Sequence, residues 1–299
     1  MSKNSFPAVR KAVIPAAGFG TRFLPFTRAV PKEMIPLVDK PVIQYVIEEA
    51  AAAGIGDILI ITSSGKEAMR NHFLPEPELE ERLSATGKTA LLEDLKHLQN
   101  LAKLHYVEQS VLNGLGGALI LAEEFAAGEP FAVLLGDTVV ESSNDVPAIA
   151  QLIGCYNQFG GSVVALEQVP RERVSNYGVI AGTLVQERLH KIENLVEKPR
   201  PEDAPSNLAI ASRYVLTPGI FDCLKKSPPH GAGQELYLTD ALLMLGQSES
   251  LYGCEIAARR YDIGNKLEFL KATVEFGLRH ADGGDKFRAY LKQKLAEEK

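Results

Sequence analysis

Ala12-Val13-Ile14-Pro15-Ala16-Ala17-Gly18-Phe19-Gly20-Thr21-Arg22-Phe23-Leu24-Pro25 runs from a short apolar stretch straight into a glycine-rich segment. Residues 12–14 read as a buried strand and Pro15–Pro25 as the loop at its carboxyl end. Glycine lets a backbone approach phosphate oxygens closely and aim its N–H groups at them. Two standard phosphate loops do not fit. The dinucleotide fingerprint needs a third glycine where Phe23 stands, and the P-loop needs Gly-Lys-Ser/Thr, which is absent. The next residues of the chain strengthen the phosphate reading. Arg22, Arg28 and Lys32 crowd one segment, and prolines 25, 31 and 36 keep it out of an ordinary helix. Cations on a stiffened loop are fixed donors for a polyphosphate, whereas a merely solvated basic loop leaves the adjacent glycines without a reason.

Beyond the loop, Pro41–Ala53 has helical spacing, with Ile43, Val46, Ile47 and Ala50 on one stripe and Gly54 as its stop. Ile58–Ile61, four consecutive apolar residues, reads as a buried strand. The pattern predicts a helix over Glu67–Phe73, one or two within Glu78–Asn100, and another over Gly116–Ala126. Strands are expected at Leu104–Val107 and Phe131–Leu135. Strands separated by helices imply right-handed crossovers and a mostly parallel α/β sheet flanked by helices. In such sheets ligands sit beyond the carboxyl ends of the strands. Pro15–Pro25 and Gly136–Thr138 both fall there.

The second half is richer in β-structure. Ser162–Gln168, Gly178–Ala181, Leu189–Val196 and Ala209–Val215 read as strands, some antiparallel and covering the site. Thr217–Lys225, Thr239–Gly246, Asn265–Leu278 and Lys286–Leu295 read as helices. Nothing repetitive, low-complexity or linker-like separates the halves, so one continuous domain over residues 1–299 is expected.

Composition bounds the function. The 299 residues are 45% hydrophobic and 23% charged, which supplies a sizeable core without disulfides. Cys155, Cys223 and Cys254 form no C-x-x-C pair and read as small core residues in a reducing cytosol. A net charge of −6 argues against nonspecific nucleic-acid binding. Met1–Arg10 lacks the apolar run of a signal peptide, and stretches such as Phe131–Leu135 are too short to span a bilayer. A soluble, cytoplasmic protein is expected, without a membrane partner. Among the six histidines there is no H-x-H or H-x-x-x-H pair to hold zinc.

Pro15 to Pro25 resembles the signature loop of the sugar-phosphate nucleotidylyltransferases. Pro31-Lys32-Glu33-Met34-Ile35-Pro36 resembles the branch that makes UDP-glucose in bacteria, since thymidylyl and adenylyl relatives usually carry proline where Glu33 stands. The likeness continues through Gln109 with Gly114-Leu115-Gly116, Gly136-Asp137, Ser175-Asn176-Tyr177-Gly178-Val179, Val196-Glu197-Lys198-Pro199, Ala204–Ala209, Leu238-Thr239-Asp240 and Tyr261–Asn265. The resemblance implies a Rossmann-like fold, with nucleotide on about residues 10–140, sugar phosphate on about 141–264, and C-terminal helices over 265–299. It implies UTP and glucose 1-phosphate as substrates, UDP-glucose and pyrophosphate as products, Mg²⁺ as cofactor, and a homodimer or homotetramer. Gly18, Gly20 and Arg22 would cradle the triphosphate and Lys32 would neutralise it. Ala17 and Gly18 would meet the uracil, Gln109 would read its edge, and Gly114 belongs to the same substrate-binding set. Glu33 would accept the uracil N3–H or brace the loop. Asp137 would hold Mg²⁺, with Asp262 as a second carboxylate. Tyr177, Gly178 and Glu197 would contact glucose, and Lys198 its phosphate.

The chemistry implied needs such residues. An anionic nucleophile must approach a triphosphate, so positioning and charge neutralisation by Arg22, Lys32, Lys198 and Mg²⁺ matter more than a general base. Taken alone, Asp137 is equally a turn residue, Asp262 part of a helix cap, and Glu197–Lys198 a strand-end ion pair. Four positions depart from the family pattern. Gly117 stands for histidine, Tyr237 for glutamine, Gln234 for glycine, and Leu135-Gly136-Asp137 for Leu-Pro-Asp. Alternatives are a same-family enzyme using dTTP or another hexose 1-phosphate, and a silent paralogue that binds nucleotide sugar and regulates a partner. A glycosyltransferase would want an Asp-x-Asp motif, which Gly136-Asp137-Thr138 does not supply.

Overall fold

The computed structural model describes residues 6–297. Thirteen strands occur among them. They are β1 (Lys11–Pro15), β2 (Pro36–Leu37), β3 (Lys40–Pro41), β4 (Asp57–Thr62), β5 (Lys103–Glu108), β6 (Phe131–Leu134) and β7 (Thr138–Ser142). The second half supplies β8 (Ser162–Gln168), β9 (Gly178–Gln186), β10 (Leu189–Glu197), β11 (Leu208–Leu216), β12 (Leu251–Glu255) and β13 (Ala258–Asp262). Nine of them form one sheet in the order β5-β4-β1-β6-β11-β8-β12-β10-β9.

The sheet is parallel across β5, β4, β1 and β6, as the alternation of strands and helices predicts. Beyond β6 it becomes mixed: β11 runs antiparallel to β6 and β8, β12 is parallel to β8, and β10 and β9 close the edge as an antiparallel pair. Burial on both faces explains the unbroken apolar runs. Ala12 and Ile14 face one core with Ile43, Ile47 and Ile149, while Val13 faces the other with Leu119, Phe131 and Leu242. Helix 42–52 buries Val42, Ile43, Val46, Ile47 and Ala50, the predicted stripe.

Several elements differ in detail from what the sequence pattern predicts. Residues 116–126 divide into helices Gly114–Ile120 and Glu123–Ala126, whereas 78–100 holds two helices, Pro77–Ala85 and Thr89–Gln99, within the expected one or two, with Gly87 at φ +68° between them. Helix Ala148–Phe159 and strands β7, β12 and β13 were not anticipated. The pair β7–β13 forms a separate antiparallel ribbon in which Thr138 faces Asp262. Cys254 is buried, and Cys155 and Cys223 are half-buried. Phe269 packs edge-on against Phe23 at 5.7 Å, so that residue serves its own core.

One buried ion pair ties these parts together. Arg213, fully buried on β11, donates through Nε and Nη2 to Glu49 of helix 42–52 at 2.7–3.1 Å. Nη1 reaches Ser212 O at 3.0 Å, and Nη2 also donates to Thr138 O at 2.9 Å. Glu49 also accepts from Ile149 N at the start of helix 148–159. A register shift between Ile210 and Tyr214, with Ser212 at φ 61°, interrupts the β8–β11 ladder just there. Such bulges re-aim side chains.

Removing one partner of a buried pair strands the other charge. Glu49→Ala is expected to cost about 3–5 kcal/mol in urea unfolding, and Glu49→Leu combined with Arg213→Met less than the two single losses together. Additive losses would contradict the coupling.

Candidate active site

The glycine loop leaves β1 at Pro15 and bends at Gly20, whose φ of +64° is a conformation glycine adopts without strain. A side-chain carbon there would stand 3.1 Å from Lys32 Cβ, and one at Gly18 3.7 Å from Lys32 Nζ. The loop and Lys32 are therefore packed on each other. Lys66, which the sequence did not single out, braces the loop from beneath. Its ammonium donates to Ala16 O at 2.5 Å and Gly18 O at 2.8 Å, and pairs with Glu33 Oε2 at 3.0 Å. Of the two sequence expectations for Glu33, this geometry supplies the brace. Its Oε1 is buried without a partner among the described residues. Burial raises the Glu33 carboxyl above its usual range and lowers the Lys66 amine.

Lys32 reaches across to Asp137 Oδ2 at 2.5 Å. Burial opposes the Asp137 charge, but the Lys32 ammonium holds its carboxyl below the ordinary aspartate value. Burial likewise works against the Lys32 charge, yet Asp137 and Glu33 hold its amine above the ordinary lysine value. Asp262 arrives from β13. Burial, and then the charge of Asp137, raise its carboxyl. A side-chain carbon at Gly264 would lie 3.0 Å from Asp262 Oδ1, 3.3 Å from Asp137 Oδ2 and 3.9 Å from Arg22 Nη1. Both carboxylates and the guanidinium thus border one space that glycine leaves clear. The cap of helix 266–279 falls to Asn265, whose Oδ1 accepts from Leu267 N and Glu268 N, while Asp262 Oδ1 accepts from Gly264 N, outside the helix.

Two cavities meet at Asp137. One, of about 440 Å³, is lined by Pro15–Phe19, Lys32, Glu33, Gln109 and Gly114. The other, of about 310 Å³, is lined by Arg22, Tyr177, Gly178, Glu197, Lys198, Tyr237 and Asp262. Gly114, Leu115, Leu135 and Asp137 border both. The structure brings the sequence-selected residues to a cavity wall except Gly20, which shapes the loop behind it, and Arg28, which is exposed at the end of the 26–28 turn and lines neither cavity.

In the second cavity, Lys198 lies at φ 47° directly after β10, its backbone N–H held by Tyr177 O at 2.9 Å. Its ammonium is 3.6 Å from Glu197 and 5.8 Å from the centre of the Tyr237 ring. Tyr237 is stacked on His230, with ring centres 4.4 Å apart, and His230 bonds Asp240 at 2.5 Å. Arg260 lies over the Tyr177 ring at 4.8 Å and is ion-paired to Glu167. Neither Arg260 nor the His230–Tyr237 stack was legible beforehand, because both depend on contacts between distant segments. The Gly-x-Gly loop offered no local hint of Lys66 either.

The nucleotidyl transferase family model matches residues 11–277. The chain is 46% identical over 285 residues to the UTP–glucose-1-phosphate uridylyltransferase of Staphylococcus epidermidis, covering 95% of this chain and 98% of that protein. It is 47% identical, with the same coverage, to UTP–glucose-1-phosphate uridylyltransferase 2 of Staphylococcus saprophyticus. Among solved structures, a UDP-glucose pyrophosphorylase complexed with UDP-glucose superposes with a TM-score of 0.84 at 37% identity, covering 91% of this chain and all of that one. The UTP-bound enzyme from Acinetobacter baumannii superposes with a TM-score of 0.88 at 35% identity, covering 95% and 98%. No helix among the described residues is long and apolar enough to cross a membrane.

If Lys66 braces the loop, Lys66→Met should speed amide hydrogen exchange across residues 15–20 about tenfold or more while leaving β6 protected. Unaltered exchange in the loop would remove the bracing role.

Proposed function

The chain belongs to the nucleotidyl transferase family, and on that premise we propose that it transfers a uridylyl group from UTP to α-D-glucose 1-phosphate, forming UDP-glucose and pyrophosphate. The observation that carries this reading is the meeting of two cavities at Asp137, one walled by the glycine loop and the other by Tyr177, Glu197 and Lys198. The near full-length identity to two uridylyltransferases supports the choice of substrates. In this reading the nucleotide occupies the side formed by residues 10–140 and the sugar phosphate the side formed by 141–264. The reaction belongs to the cytoplasm, in a homodimer or homotetramer.

A phosphate oxygen of glucose 1-phosphate attacks the α-phosphorus of UTP, and the bond from that phosphorus to the β-phosphate bridging oxygen breaks, releasing pyrophosphate. The nucleophile is already an anion, so the residues act by position and charge. Gly18 leaves room for the triphosphate beside the loop backbone, Gly20 gives the loop the bend that cradles it, and Arg22 and Lys32 offset its charge. Gln109 reads the base, with Ala17 and Gly114 bordering it, while Glu33 fixes Lys66 beneath the loop. Tyr177, Gly178 and Glu197 orient the sugar, and Lys198 draws its phosphate toward the α-phosphorus. Two unit charges about 4 Å apart interact by roughly 4 kcal/mol at an effective dielectric near 20, so each cation withheld is felt in the barrier.

Asp137 and Asp262 fit Mg²⁺. They border one common space. Mg²⁺ is usually held by one or two carboxylates with phosphate oxygens and water completing its shell. When bound, it supplies charge neutralisation on the phosphates.

The test is pyrophosphate release from UTP and glucose 1-phosphate, with dTTP and galactose 1-phosphate as controls. Release that needs Mg²⁺ and prefers the UTP–glucose pair is expected; tight UDP-glucose binding without release from any pair would favour the regulatory reading. Lys198→Ala should lower kcat by roughly 10²–10³ with UTP affinity within about twofold. Near-normal turnover would sink its role. Tyr237, the aromatic departure in the sugar cavity, gives a second check. Tyr237→Gln should change the ratio of kcat/KM for glucose and galactose 1-phosphates, and a constant ratio would show that the ring does not sense the sugar.

A further inference from the structure

Gln109 is buried at the wall of the loop-side cavity. Its Nε2 donates to Asn113 Oδ1 at 3.2 Å and approaches Gly114 O at 3.5 Å. The amide hydrogens are thereby committed to the protein. Its Oε1 has no protein partner among the described residues and is not among the sealed, unpartnered atoms, so the acceptor is the face left open to a ligand.

Asn113 owes its place to a missing side chain. It occupies the N-cap position of helix 114–120, yet its side chain caps none of the first-turn N–H groups. It lies instead over Gly117, where an added Cβ would stand 1.8 Å from Asn113 Oδ1 and 2.3 Å from its Cγ. Even alanine at 117 would evict the amide from this position. Nor can the backbone easily withdraw, because Asn113 N donates to Val111 O at 3.0 Å and Asn113 O accepts from Leu236 N at 2.8 Å. Gly117 and Asn113 are thus one device: the glycine makes the room and the asparagine fills it.

We propose that Asn113, seated by Gly117, is a positioning residue for Gln109 and thereby sets the choice of pyrimidine. The inference rests on the assignment of the loop-side cavity to the nucleotide and deepens it. With Nε2 held by Asn113, Gln109 presents a carbonyl oxygen to the base edge. Uracil offers an N3–H donor to that oxygen, whereas cytosine offers the lone pair of N3, and two acceptors facing each other in a dry site are unfavourable. Freed from Asn113, the Gln109 amide can turn over and offer Nε2 to cytosine. Thymine shares the N3–H of uracil, so this device does not separate UTP from dTTP.

The experiment measures kcat/KM for UTP, CTP and dTTP at fixed glucose 1-phosphate, with nucleotide affinities by calorimetry. In Asn113→Ala the UTP-to-CTP ratio should fall about tenfold or more while the UTP-to-dTTP ratio stays constant. Asn113→Asp keeps an acceptor for Nε2 and should restore most of the UTP-to-CTP ratio. Gly117→Ala should reproduce the loss, and adding it to Asn113→Ala should cost little more. A folded Asn113→Ala that keeps the wild-type UTP-to-CTP ratio, or loses all three nucleotides in proportion, overturns the assignment of Asn113. A wild-type protein that binds no pyrimidine nucleotide overturns the nucleotide reading itself, and this inference with it.

Discussion

The fully buried guanidinium of Arg213 sets the terms for the rest of the molecule. A charge removed from water costs several kcal/mol unless a partner and a full set of acceptors receive it. Here Glu49, Ser212 O and Thr138 O are those acceptors, and Glu49 reaches onward to Ile149 N. Two helices, the central strand β11 and the start of β7 must therefore all be in place together. Thr138 is the residue after Asp137, so the position of a proposed metal ligand is inherited from an ion pair that never meets a substrate.

The placement of the cations around the loop divides the work. Lys66 is committed to carbonyls of the loop and to Glu33, which makes it part of the scaffold. Lys32 faces Asp137, and each holds the other in its charged form against the penalty of burial. Asp262 forms no ion pair within 4 Å among the described residues, and its carboxyl is raised by burial and by Asp137, against the nearby charges of Arg260 and Arg22. Asp137 and Asp262 border one space with Arg22, a setting that suits a divalent cation bound together with phosphates.

What could be read beforehand obeyed a physical rule. Strands β1, β4 and β6 were legible because burial on both faces writes an unbroken apolar run, and the loop after β1 was legible because glycine, proline and arginine punctuate it. The ribbon β7–β13 was not, since Thr138–Ser142 and Ala258–Asp262 pair only with each other and mix polar with apolar residues. Helix 148–159 carries Ala148, Ile149, Leu152 and Tyr156 at helical spacing and was there to be seen. For the site, motif residues were found but their supports were not. Lys66, Arg213 and Asn113 act through partners that no local window contains or through space left by a glycine. The rival readings of Glu33 and Asp262 could not be weighed from sequence, because a carboxylate looks the same there whether it braces, caps or binds.

The strand order also bears on how the chain is made. β12 lies between β8 and β10, although residues 251–255 are synthesised well after both. Until they leave the ribosome, β8 has an open edge on that side, and the β9–β10 hairpin pairs in register with the growing sheet through Ala209 and Val179. Non-local pairing of this kind folds slowly and leaves unpaired edges exposed to other chains. The nascent protein is therefore most prone to aggregation in the interval before β12 appears, and a ribosome stalled there would hold a finished glycine loop on an unfinished sheet.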